Sequence, residues 1–220
     1  MTASNKISMK SIYIIGAQST GKTTLVNALA KAFQEQLQAT GANKRTPTVI
    51  QEIARTIVQR EAQFCREEVA ATPERALKLQ HRILAAQYDA EVTIRHTNTP
   101  VPAPEWYISD RSGLDPIVYA RCLVGKEAAA DMLATAAWQE LESRMKAGLV
   151  ILCEASGVWL QDDGLRLMPE DLDEWLRVDA SFRDMLEARG IEYYVMSKEM
   201  LDIQDRVDLV RQLGVDGGQP

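Results

Sequence analysis

Gly16-Ala17-Gln18-Ser19-Thr20-Gly21-Lys22-Thr23 matches the pattern G-x-x-x-x-G-K-S/T in full. Its two glycines allow backbone conformations that turn consecutive N–H groups toward phosphate oxygens. Lys22 supplies a point charge for β- and γ-phosphates, and the Thr23 hydroxyl can hold Mg²⁺. With Thr24 next in line, residues 16–24 form the expected nucleotide-binding set. A second candidate is Asp110 in Ser109-Asp110-Arg111-Ser112. A carboxylate at such a strand end could orient Mg²⁺ or take a proton from an acceptor hydroxyl. Arg111 beside it offers a planar donor for phosphate or acceptor oxygens.

The elements that must position these groups follow from apolar patterning. Ser11-Ile12-Tyr13-Ile14-Ile15 is a short β-rich run ending at Gly16, and a helical pattern opens at Lys22 with Leu25, Leu29, Phe33 and Leu37 on one face. An anion at that helix start meets the positive end of the dipole. Strand before and helix after is the context a phosphate loop requires. Val49-Ile50 predicts a short strand, followed by a helix carrying Ile53, Ile57 and Val58. Thr72-Pro73 places a capping residue before a proline at the first helical position, and that helix runs to about Arg95. Trp106-Tyr107-Ile108 reads as a strand, and two alanine-rich helices are expected between Leu114 and Lys146. Leu149 to Cys153 is the next strand. A helix from about Pro169 to Arg189 should turn Leu172, Trp175, Leu176 and Leu186 inward and stop at Gly190. Ile191 to Met196 is the last strand, and a final helix follows. Strands alternating with helices imply crossovers and a parallel sheet, here a three-layer α/β/α arrangement. Ligands of such sheets sit at the carboxyl ends of the strands. Residues 1–10 are expected to be disordered, 11–213 to form one domain with a lid at 157–168, and 214–220 to be a flexible tail.

The chain has 220 residues and a net charge of −6, which argues against a sequence-independent DNA or RNA binder. The first 60 residues nevertheless hold eight Lys/Arg against Glu35 and Glu52, a balance suited to a small anion. No apolar run approaches the ~20 residues of a membrane span. Cys65, Cys122 and Cys153 are odd in number and widely spaced, so a disulfide framework or zinc site is not expected and a cytoplasmic setting is. His81 and His96 have no ligand-spaced partner.

Asp110-Arg111-Ser112 resembles the acid-Arg-Ser motif of deoxynucleoside kinases, whose acidic residue deprotonates the 5′-hydroxyl. The run through Tyr119 resembles a segment of thymidylate kinases, with Asp115 standing where those enzymes carry Ser. A resemblance over most of the chain rests on Gln51-Glu52-Ile53-Ala54-Arg55, Asp110-Arg111, and Trp159-Leu160-Gln161-Asp162-Asp163-Gly164-Leu165-Arg166. These resemble the P-loop kinase domain of NadR-type proteins, the NadR-like AAA-domain group. Members of known chemistry phosphorylate nicotinamide riboside, and others bind GTP. The resemblance implies a Mg²⁺-dependent kinase using ATP, or GTP, on a nucleoside-like or nucleotide-like acceptor.

The remaining candidates serve that acceptor. Glu52 and Arg55, three apart at a helix start, share one face and can address an acceptor's hydroxyls and anionic group, or pair with each other. Arg166, after a glycine in a polar loop, can bring a guanidinium to the transferring phosphoryl, or pair with Asp162 or Asp163. Trp159 can stack on a base or fill a junction. Arg121 is a further phosphate candidate. A nucleotide switch without acceptor is the competing reading, although no Asn-Lys-x-Asp guanine-reading element follows a late strand. An oligomeric motor is excluded, because neither Ser109-Asp110-Arg111 nor Cys153-Glu154-Ala155 supplies a strand ending in Asp-Glu.

Overall fold

Four or five consecutive apolar residues with no polar alternation are the mark of a strand buried on both faces. Ile12–Ile15 and Leu149–Cys153 are two such runs, and they lie side by side. In the computed structural model, β1 (Ile12–Ile15) pairs in parallel with β4 (Leu149–Cys153) on one side and β3 (Tyr107–Asp110) on the other. β2 (Thr48–Ile50) extends the sheet beyond β3, and β5 (Tyr194–Met196) extends it beyond β4, giving the order β2-β3-β1-β4-β5, all parallel. The structure describes residues 10–40, 46–61, 64–95, 106–155 and 172–215.

The helices divide between the two faces according to the strand pleat. Ile12 and Ile14 of β1, with Ile151 of β4, pack on α1 (Lys22–Thr40) and α9 (Ile203–Val215). Tyr13 and Ile15, with Val150 and Leu152, face α4 (Pro73–Arg95), α5 (Leu114–Leu123), α7 (Ala136–Ala147) and α8 (Leu172–Arg189). The result is the expected three-layer α/β/α fold. A third apolar cluster, built from Ile57, Phe64, Val69, Leu79 and Ile83, joins α2 (Ile53–Arg60), α3 (Arg66–Ala71) and α4 beside the sheet. Among the described residues, no helix is long and apolar enough to cross a membrane.

Three expectations need correction. The last strand spans Tyr194–Met196 and not Ile191–Met196, because the Gly190 and Ile191 N–H groups still bond back to Glu187 and Leu186 at the end of α8. Three helices, not two, lie between Leu114 and Lys146: α5, α6 (Lys126–Leu133) and α7. α5 stops because Gly125 takes φ +138°, and α7 restarts because the Thr135 hydroxyl oxygen accepts the Trp138 N–H at 3.3 Å. Alanine-rich helical propensity hides both breaks. On α8, Trp175 and Leu186 are buried as expected, but Leu172 and Leu176 are 49% and 44% exposed. The buried arc of this helix is Trp175, Val178, Phe182, Met185 and Leu186, and Leu176 lies about 100° around the helix from Trp175. The expected lid at 157–168, with Trp159 and Arg166, and the terminal segments 1–9 and 216–220 lie outside the described residues. α9 runs two residues past the expected boundary at 213.

Candidate active site

The loop between β1 and α1 is shaped by three residues in the left-handed region: Gly16 (φ +130°), Ser19 (φ +58°) and Gly21 (φ +78°). Gly16 is fixed by contact as well as by torsion, since a Cβ there would stand 2.6 Å from the Cys153 carbonyl oxygen. The loop is braced from three sides. The Gln18 N–H donates to the Tyr119 hydroxyl of α5 (3.2 Å), and the Gln18 carbonyl accepts from Trp175 Nε1 of α8 (3.0 Å). Arg206 of α9 donates to the Thr20 carbonyl at 3.4 Å. These contacts fix the backbone at Gln18 and Thr20 without a ligand.

Lys22 is buried within this loop. Its ammonium donates to the Ala17 carbonyl and to Thr20 Oγ1 (3.1 Å). Burial, with the Arg111 charge nearby, lowers its pKa to about 8, so an anion in the loop would restore a charge that the fold disfavours. Thr24 is exposed on the first turn of α1.

The register of the sheet brings Asp110 to this loop. Ile14 pairs with Asp110, so the carboxyl ends of β1 and β3 emerge together. The Thr23 hydroxyl donates to Asp110 Oδ2 at 2.6 Å, while Asp110 Oδ1 is buried without a hydrogen-bond partner. A hydroxyl and a buried carboxylate with an unused oxygen form the oxygen-donor set that suits Mg²⁺. Among the described residues no cluster of three His, Cys, Asp or Glu offers another metal site.

Arg111 stands next to Asp110 with φ +82°, a strained conformation for a residue with a side chain, costing on the order of 1–3 kcal/mol. The strain is held by contacts: its N–H donates to the Ile14 carbonyl (2.9 Å), its Nε to Glu52 Oε1 (2.8 Å) and Nη1 to Asp115 Oδ1 (3.1 Å). Burial opposes the guanidinium charge, yet Glu52 foremost, then Tyr119, Asp115 and Asp110, outweigh it and hold the pKa above its ordinary value. Asp115 Oδ2 accepts from the Ser112 N–H (2.8 Å) and hydroxyl (3.0 Å). Burial raises the Asp115 pKa, against the pull of Arg111, Lys22 and Ser112.

Glu52, Arg55, Arg111 and Asp115 also line a cleft next to the phosphate loop, whose empty space, open solvent at its mouth included, is about 850 Å³. Its walls are apolar: Ile53, Phe64, Val69, Leu79, Ile83 and Leu123. Gln18, Gln80, Gln87 and Tyr119 add polar groups. Arg55 Nε lies 3.6 Å from Glu52 Oε2, so the two pair with each other, and both line the cavity. Asp110 does not line the cavity; it faces the loop. Arg121 is not brought to the site, because its guanidinium donates to Asp184 on α8 at 3.2 Å. His81 is exposed on α4.

Sequence reasoning missed several groups. Asp115 carried a signal in its four-residue spacing from Arg111 at a helix start. Tyr119, Trp175, Gln80 and Gln87 carried none that separates them from core or surface residues.

A family model described as an AAA domain matches residues 11–206. The chain belongs to this AAA-domain family. No curated protein matches it. Solved structures that resemble this AAA domain include a deoxyadenosine kinase from M. mycoides with dCMP and dCDP bound, at TM-score 0.61 and 14% identity, covering 92% of this chain and 97% of that one. NadR in complex with NR gives a TM-score of 0.63 at 20% identity, with 96% of this chain covering 53% of NadR, so the domain corresponds to about half of that protein. A thymidylate kinase from Ehrlichia chaffeensis gives 0.56 at 15% identity, covering 93% and 97%. At such identities the likeness is one of fold, that of P-loop nucleoside and nucleotide kinases.

Proposed function

We propose that this AAA domain is a Mg²⁺-dependent kinase that transfers the γ-phosphoryl group of ATP, or GTP, to a nucleoside-like or nucleotide-like acceptor. The observation that carries this reading is the meeting of two sites at one strand edge. A braced phosphate loop and a separate, mostly apolar cavity share Gln18, and Arg111 stands where they join. A nucleotide switch has no use for the second of these. The deoxyadenosine kinase structures bound to dCMP and to dATP, and NadR bound to NR, are consistent with it.

The chain's own groups divide the work as follows. The loop amides between Gly16 and Thr24 other than that of Gln18, which Tyr119 holds, and the Lys22 ammonium bind the donor phosphates. Thr23 and Asp110 would hold Mg²⁺, which neutralises phosphate charge when bound. Asp110 is engaged with Thr23 and does not line the cavity, so the proton of an acceptor hydroxyl falls to a different carboxylate. Glu52 lines the cavity, with Oε1 accepting from Arg111 Nε at 2.8 Å and Oε2 lying 3.6 Å from Arg55 Nε. As the acceptor oxygen bonds to the γ-phosphorus, the bond to the bridging oxygen breaks, the nucleoside diphosphate leaves, and the hydroxyl proton passes to Glu52. Arg111 stands between Glu52 and the loop and offsets the charge that develops. Arg55 addresses the acceptor beside Glu52. Arg166 and Trp159 keep the roles their motif implies, a guanidinium for the transferring phosphoryl and a surface for the base. Three cysteines without disulfides suit a reducing cytoplasm.

The test is a ³¹P-NMR or nucleoside-diphosphate-release screen with Mg²⁺ and ATP or GTP. The acceptors are nucleosides, nicotinamide riboside and nucleoside monophosphates. An acceptor-dependent product that disappears in Asp110→Asn and falls at least ~100-fold in Glu52→Gln supports the kinase and the division of roles. Nucleotide binding without turnover on any acceptor would move the reading to a switch.

A further inference from the structure

Beneath the cavity, between α4 and the sheet, lies a buried polar cluster that the transfer chemistry does not use. Glu91 of α4 is 0% exposed. Its Oε2 accepts from the Tyr107 hydroxyl (2.5 Å) and the Tyr13 hydroxyl (3.1 Å), with Arg144 Nη1 3.9 Å away. Its Oε1 accepts from Gln87 Nε2 at 2.9 Å, and the same nitrogen donates to Ser109 Oγ at 3.1 Å. An amide nitrogen has two protons, and both are committed here.

Gln87 lines the acceptor cavity, one helical turn from Glu91 and two from Gln80. With Nε2 spent, what the side chain has left to offer is its carbonyl oxygen, which accepts no hydrogen bond from the protein and is not sealed from the cavity. The orientation is not arbitrary. Turning the amide over would set its carbonyl against the Glu91 carboxylate, two acceptors facing each other in a dry interior, and would forfeit both hydrogen bonds that Nε2 donates. Burial raises the Glu91 pKa, but Gln87, the two tyrosine hydroxyls and Arg144 all favour the ionised form.

We propose that Glu91 is a positioning residue for acceptor selection: by fixing the Gln87 amide it presents a single hydrogen-bond acceptor to the cavity, which selects molecules whose ring edge carries an N–H donor. This rests on the kinase reading of the cavity. A ligand without that donor leaves a desolvated carbonyl unpaired, and such mismatches discriminate more strongly than a missing methylene does.

The experiment measures equilibrium binding at pH 8 of three probe pairs that differ by one amino group. They are adenosine against purine riboside, cytidine against 2-pyrimidinone riboside, and nicotinamide riboside against 3-acetylpyridine riboside. In the wild-type protein the amino-bearing member of the best-bound pair should bind at least ~10-fold more tightly. In Gln87→Leu and in Glu91→Gln, whose side chain no longer dictates which way Gln87 turns, that ratio should fall to within ~3-fold. A merely structural role for Glu91 would weaken both members equally and leave the ratio intact, which overturns the proposal. Equal affinities in the wild-type protein overturn it too, whether or not the variants fold. If nucleosides are phosphorylated without discrimination, this inference fails and the kinase stands. If ATP binds and no nucleoside does, the acceptor reading fails and takes the inference with it.

Discussion

Lys22 offers a quantitative test of the phosphate loop. Its pKa falls from 10.5 to about 8 because the ammonium is buried and Arg111 lies close by. In the folded protein without nucleotide, about one Lys22 in ten is therefore neutral at pH 7, about half at pH 8 and about nine in ten at pH 9. A polyphosphate in the loop favours the charged form, so binding must take up the missing protons. The expected uptake per nucleotide is ~0.1 at pH 7, ~0.5 at pH 8 and ~0.9 at pH 9. Titration calorimetry in pairs of buffers with different ionisation enthalpies measures this directly, and from pH 8 upward the nucleotide's own phosphates are fully ionised. Affinity should fall as pH rises through 8, approaching tenfold per unit. The control is Lys22→Arg, which keeps a charge that does not titrate in this range and should show no uptake. Zero proton uptake by the wild-type protein at pH 8 and 9, with tight binding retained, would refute the argument. The same shift has a sign in stability. Between pH 8 and 10.5 the unfolded chain holds the Lys22 proton more often than the folded one, so the unfolding free energy should rise with pH across that window.

Other consequences are more local. Gly16→Ala should lower stability by several kcal/mol in denaturant titration, because the new Cβ would meet the Cys153 carbonyl at 2.6 Å and φ would remain +130°. Trp175→Phe keeps the ring packing but removes the hydrogen bond to the Gln18 carbonyl. It should cost about 1 kcal/mol of stability and weaken nucleotide binding a few-fold by calorimetry. Arg121→Ala should leave nucleotide and acceptor affinity unchanged and cost no more than about 1 kcal/mol, since its partner Asp184 is a surface residue away from the cavity.

How far the sequence could be read depends on how far apart the cooperating residues lie. The phosphate loop is eight consecutive residues flanked by the strand and helix that hold it, so motif, context and structure coincide. The strands were legible because runs buried on both faces leave unbroken apolar stretches, as in β1 and β4. Helix breaks in a uniformly alanine-rich stretch were not, because Gly125 and Thr135 are weak stops set against strong propensity. The inward face of α8 was misassigned at Leu172 and Leu176, where apolar type was read as burial. What decides burial there is the angular position relative to Trp175 and Phe182, and a sequence fixes that only once the face is known.

The acceptor side was the least legible, and for a physical reason. Glu52 and Arg111 are 59 residues apart and meet at 2.8 Å only because β2 and β3 are neighbours in the sheet, an adjacency that no local pattern encodes. Once paired, they cease to be freely charged surface residues. Glu52, Arg111 and Asp115 are all nearly buried, and each charge is tolerated only because the others are present. Removing one therefore leaves an uncompensated charge behind. A substitution such as Arg111→Ala would confound lost catalysis with lost structure, whereas Glu52→Gln keeps the shape and an oxygen acceptor for Arg111 while removing the proposed base. The apolar walls supplied by α2, α3 and α4 complete the separation of tasks. The loop recognises phosphate through backbone geometry that any nucleoside triphosphate can satisfy. On the proposed reading, discrimination would then reside on the α4 face of the cavity, where the Gln87 amide is oriented by Glu91 and Ser109.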